Sequence, residues 1–189
     1  MIKLICALGN PGDQYAQTRH NAGFWFLGKL SSAESFGLSL NSRFKSLVGD
    51  FRHKTQVVRV IAPQTYMNKS GEALVPFAKF YQVTPEEILV VHDEIDLLPG
   101  ITRFKTGGGH GGHNGLRDIV RLLGSKDFHR LRVGVGHPGD KSKVVSYVLN
   151  RPGPAEAQLI DASLDKALTV LPQILEGDFA AAMNELHTV

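Results

Sequence analysis

The chain is poor in sulfur and has no long apolar runs. Its 189 residues include a single cysteine, Cys6, so no intramolecular disulfide is available. A lone thiol in an apolar stretch fits a reducing cytoplasm, and points to an inert core group rather than a nucleophile. No apolar run approaches the ~20 residues that span a bilayer, so no membrane partner is expected. Met1 leads directly into a short strand-like run, with no cleavage pattern of a secretory leader. A Gly-x-Ser-x-Gly nucleophile elbow is missing. So are His-Glu-x-x-His and paired-cysteine spacings, which disfavours a metal centre. A metal set built from His92, Asp93, His110 and His113 stays open as a minor alternative. The glycine-rich stretch around position 110 lacks the lysine-serine ending of a phosphate loop. With serine and cysteine nucleophiles disfavoured, activated water is the simplest attacking group. Repeats, low-complexity tracts and Gly/Ser linkers are also absent, which leaves one domain over 1–189.

What is present is ordinary globular composition, 42% hydrophobic and 21% charged. The net charge of +3 is unevenly spread. Residues 103–143 hold nine Lys/Arg against three Asp/Glu, whereas residues 144–189 hold two against six. A basic middle beside an acidic tail suggests a surface that meets a polyanion, although chance clustering gives the same count.

Apolar spacing and turn residues predict the elements. Ile2 to Leu8 reads as a strand stopped by Gly9-Asn10-Pro11-Gly12, and Asn21 to Ser35 as a helix. Leu47–Phe51 and Val57–Ala62 read as a hairpin, Ser70–Tyr81 as a helix, and Ile88–Val91 as a buried strand. Ile101–Phe104 and Leu131–Val135 are further strands, and Asn114–Leu123 is a helix entered from a glycine loop. Ala155–Leu175 is amphipathic, with Pro172 kinking its last turn, and Phe179–Leu186 closes the chain. Strands alternating with helices predict an α/β fold, a single globular domain with a twisted mixed sheet and helices on both faces. Sites in such folds lie beyond the carboxyl ends of the strands.

Four polar clusters fall there. His20, between the first turn and first helix, can take a proton from water, but an isolated histidine is more often a cap or core group. Asp93 follows a buried strand and can orient an imidazole, with Glu94 and Asp96 as alternatives. Asn10, Asn68 and Asn114 can donate to a carbonyl or oxyanion without adding charge, or simply form turns. Five of the six residues Gly107–Gly112 are glycine, which suits mobility or close backbone approach.

Taken in order, these clusters resemble the bacterial peptidyl-tRNA hydrolase family. The matching segments are Leu8-Gly-Asn10-Pro-Gly with Thr18-Arg-His20-Asn21-Ala-Gly, Tyr66-Met67-Asn68-Lys-Ser-Gly, and His92-Asp93-Glu94 through Gly107–Leu116. Phe128-His-Arg-Leu-Arg132-Val-Gly-Val-Gly-His137-Pro-Gly follows. The likeness weakens at residues 31–55 and after Pro152. It implies hydrolysis of the ester joining a peptide to the tRNA 3′ ribose, with no cofactor and no metal. It also implies His20 as general base and Asp93 as its orienting partner. Asn10, Tyr15, Tyr66, Met67, Asn68, His113 and Asn114 would contact substrate. Lys105 and Arg132, with Arg103 close by, would clamp the tRNA 5′-phosphate; Arg130 is an adjacent candidate on the same strand. Gly111 and Gly112 would belong to a gate loop, opposite a lid helix at about 140–148, with C-terminal helices at about 155–187. The implied partner is peptidyl-tRNA, met by a cytoplasmic monomer with no obligate protein partner. A non-catalytic RNA-binding relative and a mononucleotide-binding module are the rival readings.

Overall fold

Strand β1 (Leu4–Ala7) is buried along its whole length and forms the centre of the sheet. It pairs in parallel with β4 (Gln56–Pro63) on one side and β5 (Ile88–Glu94) on the other. The computed structural model describes residues 1–188. Beyond β4 the sheet continues antiparallel through β3 (Ser46–His53) to a short edge strand β2 (Ser39–Asn41). Beyond β5 it continues through parallel β7 (His129–Gly134) to antiparallel β6 (Thr102–Thr106). The order is therefore β2-β3-β4-β1-β5-β7-β6, a mixed sheet.

Helices cover both faces, as the alternation of elements predicted. On one face α1 (Ala22–Ala33), α5 (Pro154–Glu176) and α6 (Phe179–His187) bury Phe26, Leu30, Leu164 and Ile174 against Ile5, Leu89 and Leu131. On the other face α2 (Ser70–Phe80) and α3 (Asn114–Leu123) bury Leu74, Phe77 and Ile119 against Leu4, Cys6 and Val90. Strand alternation sends neighbouring residues into opposite layers, so Cys6 lies in the second core with its thiol pKa pushed far up by burial.

Helix α1 approaches the sheet closely because Gly23 lacks a side chain. A Cβ there would lie 2.5 Å from the Leu8 carbonyl oxygen and 2.6 Å from that of Val91. One difference from the sequence reading has a plain cause. Strand β2 carries no alternating apolar pattern, since it is a three-residue edge held by backbone pairing. Helix α5 agrees with the reading within a residue at each end and runs through Pro172 to Glu176, with Ile174 and Leu175 packed in the core past the proline.

Candidate functional site

Strands β1, β4 and β5 run parallel, so their carboxyl ends open on one edge. There the turn after β1 brings Asn10, the turn after β4 brings Tyr66, Met67 and Asn68, and β5 brings Asp93. With His20, Tyr15, His113 and Asn114 they line a cleft of about 750 Å³.

Asp93 lies at the hub and is 3% exposed. Its carboxylate accepts from Nδ1 of His20 at 3.0 and 2.9 Å and from Nε2 of His113 at 2.8 Å. Of the three acids left open by spacing, it is Asp93 that meets His20. The tautomers follow from the partners. Nδ1 of His113 accepts from the backbone N–H groups of Gly115 and Leu116, capping α3, so its proton sits on Nε2. Nδ1 of His20 faces a carboxylate and carries its proton there, which leaves Nε2 as the unprotonated nitrogen of the neutral ring. That nitrogen has no partner among the described residues.

Burial alone would raise the Asp93 pKa, but the two imidazoles hold it well below the usual carboxylate range by charge and hydrogen bonding. Burial pulls the His20 pKa down, and the charge and hydrogen bond of Asp93 outweigh it, so the net shift is upward from 6.5. His20 is thus a base poised on the alkaline side of its ordinary value.

The amides are oriented too. The Asn10 side-chain oxygen accepts from the Met67 N–H at 2.7 Å, so its NH₂ is the end free to donate. The Asn10 backbone and the Asn21 side chain exchange two hydrogen bonds, at 2.8 and 3.0 Å, which tie the β1 turn to the turn bearing His20. Asn21 was visible in the sequence cluster, but nothing in its spacing indicated this clasp. Asn114 opens α3 and accepts from Arg117 at 3.1 Å, again leaving its NH₂ to donate. Asn68 is exposed in the turn Met67–Lys69, and Tyr15 and Tyr66 meet edge to face at 6.3 Å.

The walls are a loop and a short helix. Gly107, Gly108, Gly111 and Gly112 all adopt positive φ, a conformation other residues reach at a cost. Gly111 and Gly112 line the cleft. Opposite, a 3-10 turn at Lys141–Lys143 leads into α4 (Val144–Val148), which presents Val144, Val145 and Val148. Arg117, His137 and Lys141 also line the cleft; His137 fell in a matched stretch and Lys141 in the lid segment without a role of their own, and Arg117 was not singled out.

Arg103 and Lys105 on β6 lie directly across from Arg132 and Arg130 on β7, so all four share one face of the sheet edge. Arg130 is 2% exposed, stacks over Phe128 and donates to the carbonyls of Gly108 and Gly109. It holds the base of the glycine loop and does not face solvent. Arg132 is more open and pairs with Glu94 at 3.4 Å. The choice between Arg130 and Arg132 as the outward-facing cation therefore falls to Arg132.

Among the described residues, the set His20, Asp93 and His113 brings three potential metal-ligand atoms within 4.8 Å of one another. The hydrogen bonds disfavour that use. A metal on Nε2 of His113 requires loss of its proton while Nδ1 still caps α3, which leaves an imidazolate. His92, named in the alternative metal set, is buried, gives its Nδ1 proton to the Asp93 backbone carbonyl at 2.7 Å, and has its pKa pushed down to about 3 by burial.

The chain is similar to known proteins over nearly its whole length. The family model described as peptidyl-tRNA hydrolase matches residues 4–189. A protein of that name from Pseudomonas putida is 53% identical over 188 residues, covering 99% of this chain and 97% of the relative. One from Pseudomonas aeruginosa is 50% identical over the same length. The crystal structure of peptidyl-tRNA hydrolase from Acinetobacter baumannii superposes with a TM-score of 0.95 at 49% identity, covering 98% of this chain and 94% of that one. The family model, the relatives' sequences and the shared fold together show that this chain belongs to the peptidyl-tRNA hydrolase family.

Proposed function

We propose that the chain hydrolyses the ester of peptidyl-tRNA through water activated by His20, with Asp93 as the orienting partner and no metal. The observation that carries this reading is the His20–Asp93 contact, with the opposite ring nitrogen unpaired at a cleft wall. Water held at Nε2 loses its proton to His20 as it attacks the ester carbonyl. Asp93 stabilises the imidazolium that forms, and the proton then passes to the departing ribose oxygen. General-base help of this kind supplies roughly 10²–10⁴-fold. The NH₂ groups of Asn10, Asn68 and Asn114 are neutral donors for the peptide backbone and the developing oxyanion. Tyr15, Tyr66, Met67 and His113 line the same cleft and shape the peptide's path.

The tRNA end is a polyanion. Lys105, Arg103 and Arg132 offer it three cations on one sheet edge, and Gly111 and Gly112 with α4 bound the entry as gate and lid. No helix among the described residues is long and apolar enough to cross a membrane. We read the protein as a cytoplasmic monomer; light scattering tests the oligomeric state and cell fractionation the location. The decisive experiment is His20→Ala: turnover of N-blocked aminoacyl-tRNA should fall by about 10²-fold or more with binding nearly intact. Hydrolysis at the unmodified rate would end this mechanism.

A further inference from the structure

Arg19, the residue before His20, is 7% exposed and spends its guanidinium on the last turn of α4, the residues just after it and the first turn of α5. Its Nη1 donates to the carbonyls of Tyr147 and Asn150 at 3.0 and 3.3 Å, and its Nη2 to Glu156 at 3.2 Å. Its Cζ lies 3.8 Å from the centroid of the Tyr147 ring, and its backbone N–H donates to Asn150 at 3.1 Å. Tyr147 in turn donates from its hydroxyl to the Val135 carbonyl at 2.7 Å, and the Val135 N–H donates to the Glu94 carbonyl at 3.0 Å, one residue past Asp93. The end of α4 is therefore tied to both halves of the His20–Asp93 pair, by Arg19 on one side and Tyr147 on the other.

Burying a guanidinium costs desolvation, and an apolar side chain would fill the space without that cost. What an apolar group cannot supply is a planar fork that spans two carbonyls, a carboxylate and a ring face at once. The carbonyls it holds belong to the last turn of α4 and the residues just after it, where a cation is also favoured by the helix dipole. The apolar residues of the same helix form a wall of the cleft.

We propose that Arg19 is a positioning residue that couples the α4 lid to the turn carrying His20, so that a peptide pressing on Val144, Val145 and Val148 sets the orientation of the base. This rests on the reading of His20 as base. Arg19 is not among the residues that line the cleft. Its effect passes through the turn Arg19–Asn21, whose His20 ring faces Asp93 from β5 and His113 from the start of α3.

The test compares Arg19→Gln, Arg19→Lys and Glu156→Gln with the unmodified protein and with His20→Ala, on N-blocked aminoacyl-tRNA across pH. Arg19→Gln should lose roughly 10- to 100-fold in kcat, the scale of a displacement of about 1 Å at a reacting group. Its alkaline-rising limb should also move to lower pH, because a His20 that drifts from Asp93 loses the interaction that holds its pKa up. Lysine keeps the charge but not the fork, so Arg19→Lys should fall between, and Glu156→Gln should lose a few-fold. A merely structural arginine would lower the melting temperature and leave kcat per folded molecule and the pH limb unchanged, which overturns the coupling. If Arg19→Gln does not fold, the other two variants decide by the same criteria. Activity retained in His20→Ala would overturn the base assignment itself. An inactive His20→Ala beside Arg19 variants that behave as the unmodified protein would overturn the coupling alone.

Discussion

Asp93→Asn separates the hydrogen-bond logic of this site from mere loss of charge. The substitution keeps the shape of the side chain but leaves one acceptor oxygen and one NH₂ donor where two acceptor oxygens stood. Two N–H donors compete for that oxygen, His20 at 2.9 Å and His113 at 2.8 Å. His113 has the stronger claim, because its Nδ1 is committed to the N–H groups of Gly115 and Leu116 and its Nε2 must carry the proton. The amide oxygen therefore turns to His113, and the NH₂ faces Nδ1 of His20. The His20 tautomer inverts, Nε2 becomes protonated, and the neutral ring presents no base to the cleft. The loss should span the full contribution of the general base, on the order of 10²–10⁴-fold, or about 3–5 kcal/mol of barrier. Asp93→Ala frees both imidazoles to choose their tautomer, so it should be no more damaging than the isosteric change. Single-turnover hydrolysis against pH measures the rate, and ¹⁵N NMR of the imidazoles reads the tautomer. An Asp93→Asn protein that keeps most of its activity while Asp93→Ala loses it would refute the reasoning.

Other outcomes follow from the same geometry. The Asp93 pKa is depressed in the folded state, so its stabilisation is present above its ordinary value of 3.8 and is lost as pH falls through the depressed value. The His20 pKa is raised, so its stabilisation is fully present below 6.5 and is lost as pH climbs through the raised value. Urea melts should therefore show the pair contributing most between about pH 4 and 6.5, with the advantage over His20→Gln shrinking on either side. Lys105→Ala and Arg132→Ala should weaken binding of intact tRNA substrates, with a reduced salt slope, and spare short ester mimics; equal losses on both substrates would remove the clamp. Arg130→Ala should instead slow both substrates and speed hydrogen exchange in the glycine loop, because it releases the carbonyls of Gly108 and Gly109. Gly23→Ala should cost roughly 1–3 kcal/mol of stability, since its Cβ would meet two strand carbonyls; an unchanged denaturation midpoint would contradict the close packing of α1.

Periodicity was enough to find the elements that bury long apolar stripes. Ser70–Phe80, Asn114–Leu123 and the hairpin of β3 and β4 all announce themselves by spacing and turn residues. It could not find β2, whose three residues are held by backbone pairing that leaves no side-chain pattern. The motifs put His20, Asp93 and the three asparagines on the page together because they occur in family order, and the comparison supports that likeness over nearly the whole chain. Local sequence does not encode which acid meets which histidine. Asp93, Glu94 and Asp96 are equivalent by spacing, and only the pleat of β5 and the close seating of α1 on Gly23 bring Asp93 to His20.

The same division separates the arginines and histidines. Sequence alone determined that the middle of the chain is basic, that no cysteine or serine nucleophile has its motif, and that water is the simplest attacking group. Tertiary structure decided that Arg130 turns inward to hold the glycine loop while Arg132 stays open, although both point to one face of β7. It also decided that His113 shares Asp93 with His20, and that Arg19 fastens α4 beside them. These are contacts between residues far apart in the chain, and their protons and charges are set by partners that no local pattern specifies.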